Sequence, residues 1–408
     1  MPDLGIRLSW PAGRVEEGTP PDRDRAVDAL RALAILGVVL GHWLVTALTT
    51  ADGALRSTSP LRHMPHLAPI SWILQTLAVF FLIGGHAGST SYLSARARGE
   101  RYARWLSRRL GRLFRPAAVL VCWWTVAVVG MLVLGAGVET ARTLLKLALS
   151  PLWFLVVFAL LTALTPVVAG LSPLWPLTVV ALVDVGRFGL GAPAWLGWIN
   201  VVSGWLVPWC LGAAWARGAF TRRAPLVALL AGAGAAAALL VGWCGYPAGM
   251  VGVDGEKTSN LDPPSLVVVA FGLAQCAVAL LARDLLARLM RRPAAWTAVA
   301  LTNLSAMTVF LWHQTAMMAV TATALLWGAP VPGLHTVPEG PGWVAARLLW
   351  LPVFAAALLV CWSAFRDHEH RPGPPRPSPL PRSRPTAATR AASRSIIMTP
   401  DRRSPDET

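Results

Sequence analysis

The sequence predicts an all-α polytopic membrane protein, a bundle of about ten transmembrane helices with both termini in the cytoplasm. Hydrophobic residues make up 55% of the chain and charged residues only 14%, whereas soluble domains usually carry about 25% charged residues. Many stretches run for about twenty apolar residues, the length that a helix needs to cross the hydrocarbon core. Arginines are concentrated between alternate stretches, as in loops on the cytoplasmic side.

The apolar stretches give the predicted helices in chain order. The fifth is the most interrupted, because Asp184 and Arg187 lie inside it beside proline and glycine. The ninth is the longest, and we expect it to be tilted or to extend beyond the membrane. The ten predicted helices lie near residues 27–48, 68–93, 116–137, 151–170, 173–192, 198–216, 225–246, 264–282, 295–327 and 343–365.

The distribution of basic residues predicts the orientation of the helices. The segment 94–116 holds eight arginines and one glutamate, and the segments 217–225 and 283–293 are also basic. These segments join predicted helices two to three, six to seven and eight to nine, so all three fall on the same side of the membrane. The intervening loops are nearly neutral or acidic, which places the basic side, and with it both termini, in the cytoplasm.

Three regions follow from the composition. Residues 1–24 form a polar N-terminal segment without an apolar core, so we expect the first helix of the transmembrane domain, residues 25–365, to direct insertion. Residues 366–408 are rich in proline, arginine and serine and are predicted to be a disordered, basic cytoplasmic tail. The five cysteines stand singly in or beside apolar segments and are expected to be small buried hydrophobic residues.

The net charge of +16 at pH 7 raises the question of a nucleic-acid partner. The arginines lie between apolar helices and in the tail, which fits contact with anionic membrane lipid instead. The sequence contains no zinc-type cysteine spacing, and it also lacks the P-loop, HExxH, GxSxG and EF-hand patterns. We therefore expect no nucleic acid and no metal site.

The first predicted helix, RAVDALRALAILGVVLGHW, carries two residues that are costly in lipid, Arg31 and His42. Eleven residues correspond to about three turns plus 20°, so both side chains project from nearly one face, about 16 Å apart along the axis. A cation near the cytoplasmic boundary with a titratable base deeper in the bundle suits a reaction on an anionic donor. Alternatively, Arg31 extends to lipid phosphate and His42 is a hydrogen-bonded residue of the interior.

Several segments in order resemble the acyltransferase-3 family of integral membrane O-acyltransferases. In the first helix, Arg25, Asp28, Arg31 and His42 match the family's basic residue, aspartate, and Arg and His separated by ten residues. The other matching segments are FFLIGGHAGS, RWLSRRLGRLFRP, PLWFLVVFALL and LSAMTVFLWHQ. The family usually has serine before the glycine of the second segment, where this chain has Gly84-Gly85 followed by His86.

The resemblance implies that 25–365 is a membrane acyltransferase domain. The expected reaction transfers an acetyl or other short acyl group from cytosolic acyl-CoA to a hydroxyl of a carbohydrate, glycoside or secondary metabolite. His42 is then catalytic and Arg31 its essential partner, with acyl-CoA as a cosubstrate and no bound cofactor. The expected location is a bacterial inner (plasma) membrane.

Donor binding is assigned to the basic segment that follows the second helix. Arg108, Arg109, Arg112 and Arg115 recur at helical spacing and form one stripe if the third helix begins below the membrane. Guanidinium groups suit the phosphates of coenzyme A, although such arginines also anchor helices on anionic lipid. His86 is placed along the donor path, or else is a packed, hydrogen-bonded histidine.

Two further residues are candidates on the acceptor side. His313 lies at a depth comparable with His42 and is assigned to acceptor orientation or proton transfer, with structural hydrogen bonding as the alternative. Asp184 either pairs with Arg187 one turn away or holds His42 in its useful tautomer. The alternative for the whole chain is a multi-pass transporter or exporter in which buried His and Arg act without acyl transfer.

Overall fold

A computed structural model describes residue 13 and residues 15–51, 53–253, 259–328 and 330–368. Within them, the all-α membrane bundle is confirmed, with one small antiparallel hairpin formed by β1 (Ala47–Ala51) and β2 (Ala54–Thr58). Short helical turns cover residues 60–74 and 194–198. The helices are α1 (Arg25–Val45), α2 (Leu77–Ala97), α3 (Tyr102–Val133), α4 (Val138–Leu149), α5 (Leu152–Val168), α6 (Leu174–Asp184), α7 (Ile199–Ala216), α8 (Arg223–Gly242), α9 (Leu266–Leu281), α10 (Arg283–Leu289), α11 (Pro293–Leu304), α12 (Ala306–Ala324) and α13 (Pro341–Phe365).

The number of membrane-spanning helices differs slightly from the ten predicted. Within the described residues, eight helices are long and apolar enough to cross a membrane, or nine if the bent pair α9 and α10 counts as one span. The remaining predicted helix is α6, which has 11 residues and continues into a π-helical turn over Val185–Gly189. Glycine and a charged residue in that turn explain why this helix is shorter than predicted.

The helix α1 lies at the centre of the bundle. Asp24 caps its N-terminus, because its side chain accepts hydrogen bonds from the backbone N–H groups of Ala26 and Val27. Its faces contact α2, α10, α11 and α12. Most of its side chains are buried, so its two polar residues open into the interior of the protein rather than toward lipid.

Glycines allow α2 and α7 to approach each other at backbone distance. A Cβ atom added at Gly212 of α7 would collide with the backbone oxygen of Leu82, and one added at Gly85 of α2 would collide with the backbone oxygen of Trp209. Only a residue without a side chain permits this separation. The close packing holds α2 in place beside α1 and thereby fixes one wall of the site described below.

The predicted ninth helix is two helices, and its prediction as one long span was wrong. Ser305 lies between α11 and α12 with a non-helical backbone, φ −109° and ψ 12°. Its hydroxyl accepts a hydrogen bond of 2.6 Å from the indole nitrogen of Trp362 on α13. The interaction stabilises the break, and only the part from Ala306 onward is counted as a span.

A small structure at one end of the bundle was not predicted. The β1–β2 hairpin packs on α4, and the backbone N–H of Leu55 donates to the Thr140 hydroxyl at 3.1 Å. The helix α4 in turn contacts α3 and α12. Together these elements cover the end of the bundle at which α1 terminates, which we call the His42 end.

The predicted basic stripe is helical, because α3 begins at Tyr102 and continues through Pro116 to Val133. The N-terminal segment lies only partly within the described residues. The predicted disordered tail, 366–408, lies outside them from residue 369 onward. The orientation of the termini and the three-region division remain predictions.

Replacing Gly212 by alanine should destabilise the bundle by about 1–3 kcal/mol, since backbone cannot move aside for the added methyl group. The effect is measured as the thermal unfolding temperature in detergent, monitored through loss of the monodisperse size-exclusion peak on heating. Gly234→Ala in α8 is the matched control, because nothing lies within 4 Å of the added Cβ and alanine favours helix. Equal melting temperatures for the two variants would contradict the close approach of α2 and α7.

Candidate functional site

The two polar residues of α1 open into two separate cavities. His42 lines a cavity of about 240 Å³, together with residues of α2, α4, α5 and α12. Arg31 lines a second cavity of about 280 Å³, together with residues of α2, α3 and α5. We call them the His42 cavity and the Arg31 cavity.

His42 is held by α12. The amide nitrogen of Gln314 lies 3.0 Å from Nδ1 of His42. The ring of His313, one residue earlier, has its centroid 5.1 Å from that of His42. The helices are joined at the same level by a hydrogen bond of 2.9 Å from the Trp43 indole to the His313 carbonyl. His42 and His313 are therefore brought together, as their predicted depths required.

His313 is fully buried and has a defined tautomer. Its Nδ1 lies 2.7 Å from the carbonyl oxygen of Phe310, and a carbonyl only accepts, so Nδ1 carries the proton. Nε2 is then an acceptor, and it has no partner among the described residues. His313 does not line the His42 cavity, so it contacts the His42 ring from the side away from the cavity.

Gln314 controls which nitrogen of His42 carries the proton. With the amide nitrogen facing Nδ1, Nδ1 accepts and the ring proton sits on Nε2. A half-turn of the amide would present Oε1, which is buried without a partner among the described residues. Nδ1 would then hold the proton and leave Nε2 as a free base. The sequence analysis missed this residue, although it directly follows His313 in the quoted segment.

A second residue missed by the sequence analysis is Arg347 on α13, whose side chain is almost entirely buried. Its guanidinium donates to the carbonyl oxygens of Trp43, Thr46 and Gly333 at 2.7–2.8 Å. It thereby satisfies the carbonyls at the end of α1, immediately after His42. The signal was present in the sequence, since an arginine inside an apolar span is rare and tends to mark function.

The Arg31 cavity is lined by three guanidinium groups. Arg31 meets Arg109 and Arg112 of α3, and the residues that line this cavity include no carboxylate. The nearest acid is Asp28, whose carboxylate accepts two hydrogen bonds from the guanidinium of Arg23, at 2.6 Å from Nε and 3.0 Å from Nη2. These bonds raise the pKa of Arg23. Arg31 lies farther from Asp28, at 3.4 Å. The cavity therefore carries a concentrated positive charge that suits an anionic ligand.

The other residues predicted to bind the donor lie elsewhere. Arg108 forms an ion pair with Glu100, and Arg115 is exposed. The ring of His86 packs on Trp215, with centroids 4.1 Å apart. These three residues do not line the Arg31 cavity, so the predicted stripe divides into two arginines that line the cavity, of which Arg112 is also exposed, and two that do not line it.

Asp184 lies in a polar network of its own. Its carboxylate accepts from the Asn200 amide at 3.0 Å, the Tyr246 hydroxyl at 3.0 Å and the backbone N–H of Leu266 at 2.6 Å. These bonds join α6 to α7, to the loop after α8 and to the start of α9. Asp184 does not line the His42 cavity, and the partner of His42 Nδ1 is Gln314 instead.

Comparison with known families identifies the chain. The acyltransferase-3 family model, described as an acyltransferase domain, matches residues 24–366. The chain belongs to the acyltransferase-3 family. A search of curated proteins and of solved structures returns no significant match.

Membership confirms the resemblance found in the sequence and favours the enzyme over the transporter. Together with the apolar helices, it makes this acyltransferase a multi-pass membrane enzyme. The match begins at Asp24, the residue that caps α1, and ends one residue after α13. Both cavities therefore lie inside the family domain.

Gln314→Leu should remove the bond that fixes the His42 tautomer and lower acyl transfer by about tenfold or more. Histidine-selective ¹⁵N NMR checks the cause, because it distinguishes rings protonated at Nδ1 from those protonated at Nε2. Gln314→Glu should retain more activity than Gln314→Leu, since a carboxylate accepts from Nδ1–H.

The matched control is Gln275→Leu, which loses one bond to the Trp72 carbonyl in the same bundle but does not line the His42 cavity. An unchanged tautomer signal in Gln314→Leu would rule out the assigned role of this amide.

Proposed function

We propose that the protein is an O-acyltransferase that moves a short acyl group from acyl-CoA to a hydroxyl of a carbohydrate, glycoside or secondary metabolite. The observation that carries this proposal is the division of α1 between two cavities. One cavity presents three guanidinium groups, and the other presents a histidine whose tautomer a neighbouring amide controls. An anionic donor and a neutral hydroxyl acceptor need this difference between the two cavities.

The donor binds with its phosphates in the Arg31 cavity. Arg31, Arg109 and Arg112 supply several N–H donors in planar groups, a geometry that matches phosphate oxygens. Among the described residues, no carboxylate lines the cavity, and only Arg31 has an acid nearby, Asp28 at 3.4 Å, so positive charge is in excess at the cavity and favours an anionic ligand. The pantetheine arm then points along α2 and α5 toward His42.

The acceptor hydroxyl binds in the His42 cavity. Its wall contains hydroxyl and amide side chains, Ser57, Thr58, Gln75 and Ser150, beside apolar ones. Such a mixture suits a sugar or a similar hydroxyl-bearing molecule, which has polar edges and apolar faces. We also propose that the protein lies in a bacterial inner membrane. The arginine distribution supports placing the Arg31 cavity on the cytoplasmic side.

The chemistry follows from the residues around the imidazole. The reaction needs the other orientation of the Gln314 amide, in which a half-turn brings its oxygen to Nδ1–H and leaves Nε2 of His42 as the base. Nε2 then takes the proton of the acceptor hydroxyl while the hydroxyl oxygen attacks the thioester carbonyl. The C–S bond breaks, and the thiolate of coenzyme A leaves and takes the proton from His42. An ester and free coenzyme A are the products. The amide oxygen stabilises the transient imidazolium by accepting from Nδ1–H.

His42→Ala and Arg31→Ala should each reduce release of free coenzyme A by at least about a hundredfold, because each removes a group that the reaction needs. The assay uses purified protein with acetyl-CoA and a panel of methyl glycosides, and detects the released thiol and the esterified sugar. His66→Ala is the matched control, an exposed histidine that lines neither cavity. Full activity in either of the first two variants would refute the proposed mechanism.

Neutralising the cavity arginines should weaken donor binding specifically. Arg109→Gln and Arg112→Gln are expected to raise the KM for acetyl-CoA by about tenfold each while changing kcat less. Arg115→Gln provides the comparison, since it removes the same charge from a position on the same helix that does not line the cavity. A similar KM in all three variants would mean that the Arg31 cavity does not bind the donor.

A further inference from the structure

The two cavities are stacked on the same helices and are separated by about one helical turn. On α2, Leu77 lines the His42 cavity and Phe80 lines the Arg31 cavity. On α5, Phe154 lines the former and Phe158 the latter. Three or four residues of α-helix correspond to about 4.5–6 Å, so on α2 and α5 the two cavities are separated by about one layer of side chains.

That layer is aromatic. The rings of Phe80 and Phe154 meet edge to face with centroids 5.0 Å apart. Phe158 packs against both, at 5.6 Å and 5.8 Å, and Phe310 of α12 packs on Phe154 at 5.3 Å. We call these four rings the aromatic partition. Because phenylalanine rings form no hydrogen bonds, the layer can open by side-chain rotation without breaking any.

The two rings at the centre of the partition differ in freedom. Phe154 is 4% exposed and is also held by Phe81, with centroids 4.9 Å apart. Phe80 is only partly buried and borders the open space of the Arg31 cavity. A side chain beside a cavity changes rotamer without displacing its neighbours. Phe80 therefore has more room to change rotamer than Phe154, which is held on more sides.

We propose that Phe80, closing against Phe154, is the point through which the acyl group passes from the Arg31 cavity to the His42 cavity, and that it determines the acyl chain length. This inference rests on the proposed function, because it concerns the path between the donor and the base. The thioester carbonyl has to reach His42 while the coenzyme phosphates stay with the arginines. The straight route between them runs through the partition.

The size of the His42 cavity favours short acyl chains. Beyond the partition, the acyl group shares a cavity of about 240 Å³ with the acceptor hydroxyl. Besides the partition ring Phe310, the cavity wall includes the apolar residues Val38 and Leu77. A short acyl group fits there beside the acceptor, whereas a longer one has to leave part of its chain between the rings of Phe80 and Phe154. The closed rings oppose that position.

The first experiment tests the partition without any acyl transfer. Val38→Cys places a thiol in the His42 cavity, in a chain whose five native cysteines are replaced by alanine or serine. A small membrane-impermeant thiol reagent is then applied to right-side-out or to inverted membrane vesicles. We expect labelling from one side only, and labelling from both sides when Phe80→Ala is added. Phe114→Ala, an exposed phenylalanine on α3, should leave one-sided labelling unchanged.

The second experiment tests the choice of acyl group. Release of free coenzyme A is measured with acetyl-, butyryl-, hexanoyl- and octanoyl-CoA, with water or methyl glucoside as acceptor. Phe80→Ala should raise the ratio of the hexanoyl to the acetyl rate by about tenfold, whereas Phe114→Ala should not change it. An unchanged ratio in an active Phe80→Ala variant would overturn the role in selection.

The two experiments separate the failure of this inference from the failure of the proposed function. If the unaltered protein releases no coenzyme A from any donor, the proposed function fails, and the inference fails with it as a statement about acyl groups. If it does release coenzyme A, but Val38→Cys is labelled from both sides with Phe80 intact, only the partition is refuted. Val38→Ile keeps an apolar side chain at the labelled position and shows whether substitution there disturbs the fold.

Discussion

The whole structure depends on the cost of leaving a polar group without a partner in an apolar bundle. Arg347 and Asp184 meet this requirement completely. The first gives its guanidinium to three carbonyls around the end of α1, and the second receives three donors from neighbouring elements. Each is an ionisable residue in the interior, and each is used to join helices. They show what a structural polar residue looks like in this protein.

The groups beside His42 differ from that pattern. Nε2 of His313 and Oε1 of Gln314 are both buried without a partner among the described residues. Both belong to consecutive residues of α12, and both lie against the same imidazole. Unsatisfied acceptors are costly in an apolar interior, and these two, on adjacent residues beside one imidazole, support the proposed role of His42 in proton transfer. Arg347 fixes the end of α1 next to His42 through the carbonyls of Trp43 and Thr46.

The sequence predicted the fold class and the central helix because those depend on local properties. Helical periodicity alone places Arg31 and His42 on one face, and apolar length alone predicts most of the spans. The break at Ser305 was beyond such reasoning, because it depends on the indole of Trp362, which is 57 residues away in the chain. The hairpin and α4 were missed for a related reason, since they are stabilised by packing on the end of the bundle rather than by an apolar stretch of their own.

The candidate site shows the same division. The arginine stripe was predicted from spacing, but spacing on one helix cannot show that Arg108 finds Glu100 while Arg109 and Arg112 meet Arg31. Asp184 was expected either to pair with Arg187 or to hold the tautomer of His42, and its hydrogen-bond partners come instead from α7, from the loop after α8 and from α9. Gln314 was harder to single out from the sequence than the ionisable residues, because an uncharged amide is less costly to bury in an apolar helix than a charge. Its role becomes visible only through its distance to Nδ1.

The separation of the two cavities has a physical reason of its own. Three guanidinium groups attract water and ions into the Arg31 cavity, and water raises the local dielectric constant and weakens every electrostatic interaction that it reaches. A base that must take a proton from a hydroxyl works best where such solvent is excluded, since water also competes with the acceptor for the thioester. In the proposed function, one layer of phenylalanine rings between the two cavities serves both needs. A single helix then lines the arginine-rich cavity and the cavity of His42 within about three turns.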